Sequence, residues 1–375
     1  MTAPAVLTEQ HLQLRRAVRE FLTTERREGS LRDHVGGRFH PAFSRRLAER
    51  GWVGMALPRR YGGGERSAVD RFVVLEELLA DDAPIAAHFV AERQTAPSLL
   101  AFGTEAQCAR FLPAIVRGEC WFAIGMSEPD AGSDLASVRT RAVRTDGGWH
   151  VSGTKLWTSN AQHLHYFVVL CRTSVAADRH EGLSQLIVDL HTPGVTVRPI
   201  TMLNGATDFN EVVLDTVFVP DDLVLGEVGD GWKQVTSELA FERSGPDRYM
   251  SSVPLLRRFV RHCRDTNGAL TPEQRGEIGR LWARLRTIRT MSLGVAAALD
   301  SGAAPAFEAA LVKDLGTVFE QDVVATVHRL FGRELDACGD GLERELANAV
   351  MIAPSFTIKG GATDVLRTIV ARKLR

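Results

Sequence analysis

The feature that most constrains the fold is a change of hydrophobic period part-way along the chain. From Thr8 to about Gly118, apolar residues recur at spacings of three and four. Phe72, Val73, Leu75, Leu78 and Leu79 form one such run, with Glu76, Glu77, Asp81 and Asp82 interleaved. That pattern predicts amphipathic helices, broken at Pro58 and by a loop at Gly62-Gly63-Gly64. From about Glu119 to Val228 the runs become short and of β type. Residues 149–153 and 195–200 alternate, 166–170 and 186–190 are apolar runs, and Asp146-Gly147-Gly148 is a hairpin turn signal. From Gly231 the helical period returns in long arms, Arg280 to Asp300 and Phe307 to Leu330. The expected fold is therefore α+β: an N-terminal helical domain (1–118), a middle antiparallel β domain (119–228) and a C-terminal helical bundle (229–375). In such a chain the helices pack together and the sheet docks on them. A length of 375 residues supports two or three cores.

Composition removes several function classes. The net charge is −1, so no basic field argues for nucleic acid or an anionic membrane. The eleven histidines do not cluster. The closest pair, His163 and His165, lacks metal-ligand spacing, so no metal is expected. The five cysteines, Cys108, Cys120, Cys171, Cys263 and Cys338, are odd in number, far apart and contain no Cys-x-x-Cys. Buried reduced thiols in a cytoplasmic protein are the expectation for all five. Met-Thr-Ala-Pro-Ala-Val at the start has no basic region followed by an apolar stretch, and no run reaches the length of a membrane span.

Two elements carry the chemistry. Ser127-Glu128-Pro129-Asp130-Ala131-Gly132-Ser133-Asp134 is a polar loop after the apolar run Trp121 to Met126. Its small residues let backbone approach a ligand, and its Ser and Asp side chains offer hydrogen bonds. By turn statistics alone it could equally be an ordinary turn. The second element is Gly153-Thr154-Lys155-Leu156-Trp157-Thr158-Ser159-Asn160-Ala161. An aromatic face beside hydroxyl donors suits a flat heteroaromatic ring, although a core tryptophan beside a polar turn has the same composition. The run Gly226-x-x-Gly229-x-Gly231 follows no buried parallel strand of a βαβ unit. It reads as a turn entering a helix near Trp232 rather than a dinucleotide fingerprint.

In this order and spacing the two elements resemble the acyl-CoA dehydrogenase family, whose pattern is roughly Thr/Ser-Glu-Pro-x-Ala-Gly-Ser-Asp and then Gly-x-Lys-x-Trp-x-Thr/Ser. Gly51-Trp52 through Pro58 to Tyr61-Gly62-Gly63, Gly103-Thr104-Glu105 with Phe111-Leu112-Pro113, and Gly360-Gly361 through Arg372 resemble further family motifs. The likeness is strong from Gly51 to Gly245 and weakens from about Asp265 to Asn348. It implies FAD between the domains. Ile124, Met126 and Ser127 would contact the isoalloxazine, and Ser133 would lie where FAD meets CoA. Trp157 would lie against the flavin, with Thr158 beside it and Ser159 near N5. Arg243 would stand where the acyl-CoA enters. It implies oxidation of an acyl-CoA or acyl-carrier-protein thioester to the α,β-unsaturated product. An electron-transfer flavoprotein or similar acceptor would reoxidise the flavin, in a homo- or hetero-oligomer (dimer or tetramer).

An α-proton of a thioester is weakly acidic and needs a positioned base. The commonest family position for that base holds Gly360 here, which has no side chain. In the isovaleryl-CoA and long-chain branches the glutamate lies before an Arg on the first long C-terminal helix. That position is Glu242, in Ala240-Phe241-Glu242-Arg243-Ser244-Gly245-Pro246, with Glu238 one turn earlier as the alternative. Pro246 offers no N–H to the carbonyl of Glu242, so the helix should kink or stop there. Two further departures matter. Arg264 to Leu270 lacks the family's Arg-x-x-Phe-Gly motif, and Ala362 replaces a common Thr. Both losses resemble actinobacterial members built from two unlike subunits, which makes a non-catalytic subunit completing a partner's FAD site the second reading. A flavin monooxygenase or nitroalkane-oxidase relative is the third.

Overall fold

The computed structural model describes residues 6–32, 39–339 and 341–374, without the side chains of residues 238–242, 267 and 374. The first half runs α1 (Glu9–Arg27), α2 (Pro41–Glu49), α3 (Ala68–Ala80), α4 (Ala86–Val90), a π-helical turn (Ala91–Thr95), α5 (Ala96–Phe102) and α6 (Glu105–Val116). The strands follow: β1 (Phe122–Gly125), β2 (Arg141–Thr145), β3 (Gly148–Ser159), β4 (Tyr166–Arg172), β5 (Leu183–Asp189), β6 (Val195–Ile200), β7 (Phe209–Pro220) and β8 (Val224–Leu225). Helices then complete the chain: α7 (Gly231–Glu242), α8 (Val253–Asn267), α9 (Pro272–Asp300), α10 (Ala306–Phe331), α11 (Leu342–Ile352) and α12 (Thr363–Leu374). Among the described residues no helix is long and apolar enough to cross a membrane. The chain divides into two compact units, residues 30–66 with 84–239, and residues 1–29 with 67–83 and 240–375.

The first unit is built on one sheet of order β6-β7-β3-β2-β4-β5-β8, with β1 paired to β4. Its core packs Leu99, Phe111, Leu112 and Ile115 of the helices against Phe122, Phe167, Val169 and Leu186 of the strands. The sheet is not purely antiparallel: β1 runs parallel to β4 throughout, and β2 meets β4 in a parallel pair at Arg141 and Arg172. β1 arrives from α6 rather than from a hairpin turn, so no tight turn forces it antiparallel. The predicted hairpin at 146–148 does join β2 to β3, with Gly147 left-handed at φ 69°. The Gly226–Gly231 run is the turn from β8 into α7. A Cβ on Gly231 would lie 2.7 Å from the backbone of Leu183 and Ser184, so only glycine lets the helix start this close to β5.

The second unit is helical, with Tyr249, Leu256, Phe259, Leu281, Phe319 and Val323 in its core. Here α3 departs from the amphipathic reading. Glu76 and Glu77 do not form a wet face; they are 6% and 7% exposed. Arg15 and Arg289 each donate to Glu76 from 2.9 Å, and Arg19 donates to Glu77 from 2.6 Å. Hydrophobic period cannot distinguish a polar stripe that meets water from one that meets arginines of α1 and α9. The ends of α3 are also held from within this unit: Asp300 accepts from the N–H groups of Ala68 and Val69, and Arg257 donates to the carbonyl of Ala80. Four cysteines are buried as expected, but Cys338 is exposed in the segment before α11.

Removing one partner of a buried ion pair strands the other, at a cost of about 3–5 kcal/mol. Glu76→Ala should therefore destabilise the helical unit by about 3 kcal/mol, the low end of that range, because Arg15 and Arg289 keep part of their surface in water. Denaturant unfolding followed by circular dichroism measures this. A loss below about 1 kcal/mol would mean that the network is worth no more than a surface pair.

Candidate functional site

The first element leaves the sheet at the end of β1. Phe122, Ala123 and Gly125 are buried, while Ile124, Met126 and Ser127 are half-buried. Gly125 is required locally, since a Cβ there would lie 2.0 Å from the Phe167 ring. The chain then turns tightly: the Glu128 N–H donates to the Ala131 carbonyl at 2.8 Å, and the Ala131 N–H returns the bond at 3.2 Å. Beyond the turn Ser133 and Asp134 are exposed. Asp134 accepts from the Ser137 hydroxyl at 2.5 Å and from Arg179 at 2.9 Å. These contacts, the Ser137 bond foremost, hold its carboxyl below the usual aspartate range.

The second element is the far half of β3. Pairing with β7 is irregular between Lys155 and Thr158. Inside that irregularity Trp157 takes left-handed backbone, φ 62°, and presents an indole that is 53% exposed. Its ring meets Phe209 edge-on at 6.1 Å. Left-handed backbone costs a residue with a Cβ about 1–2 kcal/mol, and such strain concentrates at functional positions. Thr158 is fully buried: its carbonyl accepts from Asn210 at 3.0 Å, and its hydroxyl is buried without a hydrogen-bond partner. Ser159 is half-buried, and Asn160 is again left-handed at φ 54°.

A buried ion pair joins the two elements, a role that the sequence reading did not assign. Lys155, fully buried, donates from Nζ to Glu128 Oε1 at 2.8 Å and to the Met126 carbonyl at 3.0 Å. Glu128 also accepts from the backbone N–H groups of Thr140 at 2.9 Å and Arg139 at 2.6 Å. The Leu156 N–H donates to the Ser127 carbonyl at 2.9 Å. A usable signal was present: a Lys on a strand and a Glu between an apolar run and a proline need partners if buried. Burial alone would raise the Glu128 carboxyl, but the Lys155 charge and the hydrogen bonds outweigh it and hold it below the ordinary value of 4.5. Burial pushes the Lys155 ammonium down.

A carboxyl whose folded value is depressed adds stability above its unfolded value and loses it as pH falls through the folded one. Glu128→Gln should thus cost about 3–5 kcal/mol at neutral pH. The gap to the native chain should narrow as pH falls from 4.5, the ordinary value, toward the lower value at which folded Glu128 takes up its proton. Urea midpoints across a pH series test this, and a gap that does not change with pH contradicts it.

Of the helical residues, Glu242 and Arg243 fall in the other unit, while Glu238 lies in the unit of the sheet. α7 stops at Glu242, and residues 246–248 begin a separate 3-10 turn, as the missing N–H of Pro246 requires. The Ser292 hydroxyl donates to the Ser244 carbonyl and ties the break to α9. The side chains of Glu242 and Glu238 lie outside the described residues. Arg243 is half-buried, with its Nη2 3.7 Å from where a Cβ on Gly361 would stand. Gly360 and Gly361 are both left-handed, φ 70° and 104°. The Arg264 to Leu270 stretch is the end of α8 and its left-handed cap at Gly268.

Models of the acyl-CoA dehydrogenase N-terminal, middle and C-terminal domains match residues 8–119, 123–217 and 229–375. The chain belongs to the acyl-CoA dehydrogenase family. Members of this family are flavoprotein oxidoreductases. "Acyl-CoA dehydrogenase IpdE1" of Mycobacterium tuberculosis is 34% identical over 370 residues, 95% of this chain and 92% of the relative. Among solved structures, "Tcur3481-Tcur3483 steroid ACAD" superposes with a TM-score of 0.85 at 30% identity, covering 99% of this chain and 97% of the other. The ChsE4-ChsE5 complex from Mycobacterium tuberculosis gives 0.84 at 28% identity, with 98% of each chain covered.

Proposed function

We propose that this chain is an FAD-dependent dehydrogenase of an acyl-CoA or acyl-carrier-protein thioester, with Glu242 as the base that removes the α-proton. The observation that carries the FAD reading is the exposed indole of Trp157. A half-exposed tryptophan held in left-handed backbone costs the free chain in both strain and apolar exposure. A flat ring laid against it would recover the exposure term, and the half-buried Ser127 and Ser159 add hydroxyl donors beside it. Ile124, Met126, Ser127, Ser133, Trp157, Thr158 and Ser159 are assigned to the cofactor. Thr158 takes part through its backbone, because its side chain is buried. FAD, when bound, accepts the hydride from the substrate's β-carbon. Ser133 and Arg243 are assigned to the thioester.

Two observations favour Glu242 over the commoner base position. Gly360 lies in left-handed backbone, where a carboxylate-bearing residue would carry the same strain as Trp157. α7 ends at Glu242, and a helix terminus leaves its last carbonyls without helical partners and so sets the residue apart from the regular surface. An electron-transfer flavoprotein or similar acceptor is the proposed oxidant, and a homo- or hetero-oligomer the proposed assembly. We also propose domain boundaries near residues 118 and 228, and a cytoplasmic location from the thiol usage.

A second reading has its own support. Two of the structural neighbours bear paired names, Tcur3481-Tcur3483 and ChsE4-ChsE5. The chain also ends α8 without an Arg-x-x-Phe-Gly motif. In that reading the chain completes an FAD site together with an unlike subunit.

Glu242→Gln should retain FAD while slowing bleaching of the flavin by acyl thioesters at least ~100-fold, the low end of general-base contributions. Anaerobic stopped-flow absorbance over a panel of thioesters measures this, and native-like bleaching removes Glu242 from the reaction. A yellow protein purified alone supports the first reading. A colourless one that gains flavin only on co-expression supports the second.

A further inference from the structure

The Lys155 ammonium has three N–H donors, and buried donors need partners, so it takes the Met126 carbonyl as well as the Glu128 carboxylate. Glu128 already holds two backbone N–H groups besides the ammonium. A buried ion pair roughly breaks even against apolar replacements, so stability alone is a weak reason to bury one. That Met126 carbonyl belongs to the same peptide unit as the Ser127 N–H. Peptide resonance links the two ends: a cation on the oxygen draws density from the nitrogen and makes its N–H a stronger donor. The next peptide is held as well, because the Ser127 carbonyl accepts from the Leu156 N–H. One bulged segment of β3 therefore supplies both a charge on the peptide before Ser127 and a fixed position for the residue itself.

We propose that Lys155 is a positioning residue which, through the Met126–Ser127 peptide, raises the reduction potential of the flavin bound at this loop. The proposal rests on the FAD reading above. Two-electron reduction adds negative charge to the flavin ring, and a preorganised, polarised N–H stabilises that charge without reorganising. Lys155 touches neither substrate nor cofactor in this role. Glu128 holds the ammonium in place and keeps the buried charge balanced.

The test compares Lys155→Met, Glu128→Gln and the double variant Glu128→Gln/Lys155→Met, in whichever preparation retains flavin, alone or with a partner subunit. Midpoint potentials are read by equilibration with a reference dye, and stability by urea unfolding. A purely structural pair predicts that Lys155→Met unfolds easily, that the double variant regains stability, and that its potential equals that of the native protein. The proposal predicts that the double variant regains stability but its potential falls. A ~10-fold change in the reduction equilibrium is about 30 mV for a two-electron couple. Glu128→Gln strands the Lys155 charge and serves as the second stability control: it should unfold about as easily as Lys155→Met. A double variant that is stable, yellow and unchanged in potential overturns the proposal. A native protein that takes up no flavin under any condition overturns the FAD reading itself, which is a separate outcome.

Discussion

The Lys155 ammonium and the Glu128 carboxylate have both left water, and each would be costly alone. Together with five neighbouring backbone groups (the Met126 carbonyl, the Arg139 and Thr140 N–H groups, and the Leu156 N–H with the Ser127 carbonyl that accepts from it) they lock a loop and a strand into one rigid body. Everything assigned to the cofactor hangs on that body. Ser127 precedes Glu128, Trp157 follows Lys155 by two residues, and the irregular pairing that turns Trp157 outward begins at Lys155. A binding site needs its geometry held to a fraction of an ångström, and a buried charge pair tied to neighbouring backbone groups provides that better than loose apolar packing.

Strain at Trp157 has meaning only in that setting. A left-handed tryptophan on a free hairpin would relax to ordinary strand geometry. Here β7 on one side and the buried pair on the other leave it no such freedom. The same logic runs in reverse in the helical unit. There the left-handed backbone at residues 360 and 361 is occupied by glycine, so no strain is stored and no side chain is offered. The two units thus treat the same backbone region differently, one to display an aromatic ring and the other to permit a turn against Arg243.

Much of the fold was legible because its signals are local. The hairpin at 146–148, the glycine turn before α7 and the end of α7 ahead of Pro246 each follow from a few neighbouring residues and their allowed backbone. Both bounds of α10 came within one residue for the same reason, since a long run at helical period has few alternatives, whereas α9 ends at Asp300 as expected but begins at Pro272, ahead of the expected Arg280. Misreadings came where a charge met a distant partner. Glu76 and Glu77 looked like a solvated face, yet they are buried against arginines from α1 and α9, some 60 to 210 positions away. The parallel run of β1 beside β4 was hidden too, because strand direction depends on how the chain returns rather than on the strand's own residues.

The sequence by itself determined the helix–sheet–helix order, the family and the two motifs that mark the site, because these depend on periodicity and on residue type at short spacing. Only the tertiary structure decided that the motifs are one object. Glu128 and Lys155 are 27 positions apart, and nothing in either segment states that the other will neutralise it. Folding brings them to 2.8 Å in the buried interior, where an unpaired charge is costly, and so fastens the loop to the strand that carries Trp157.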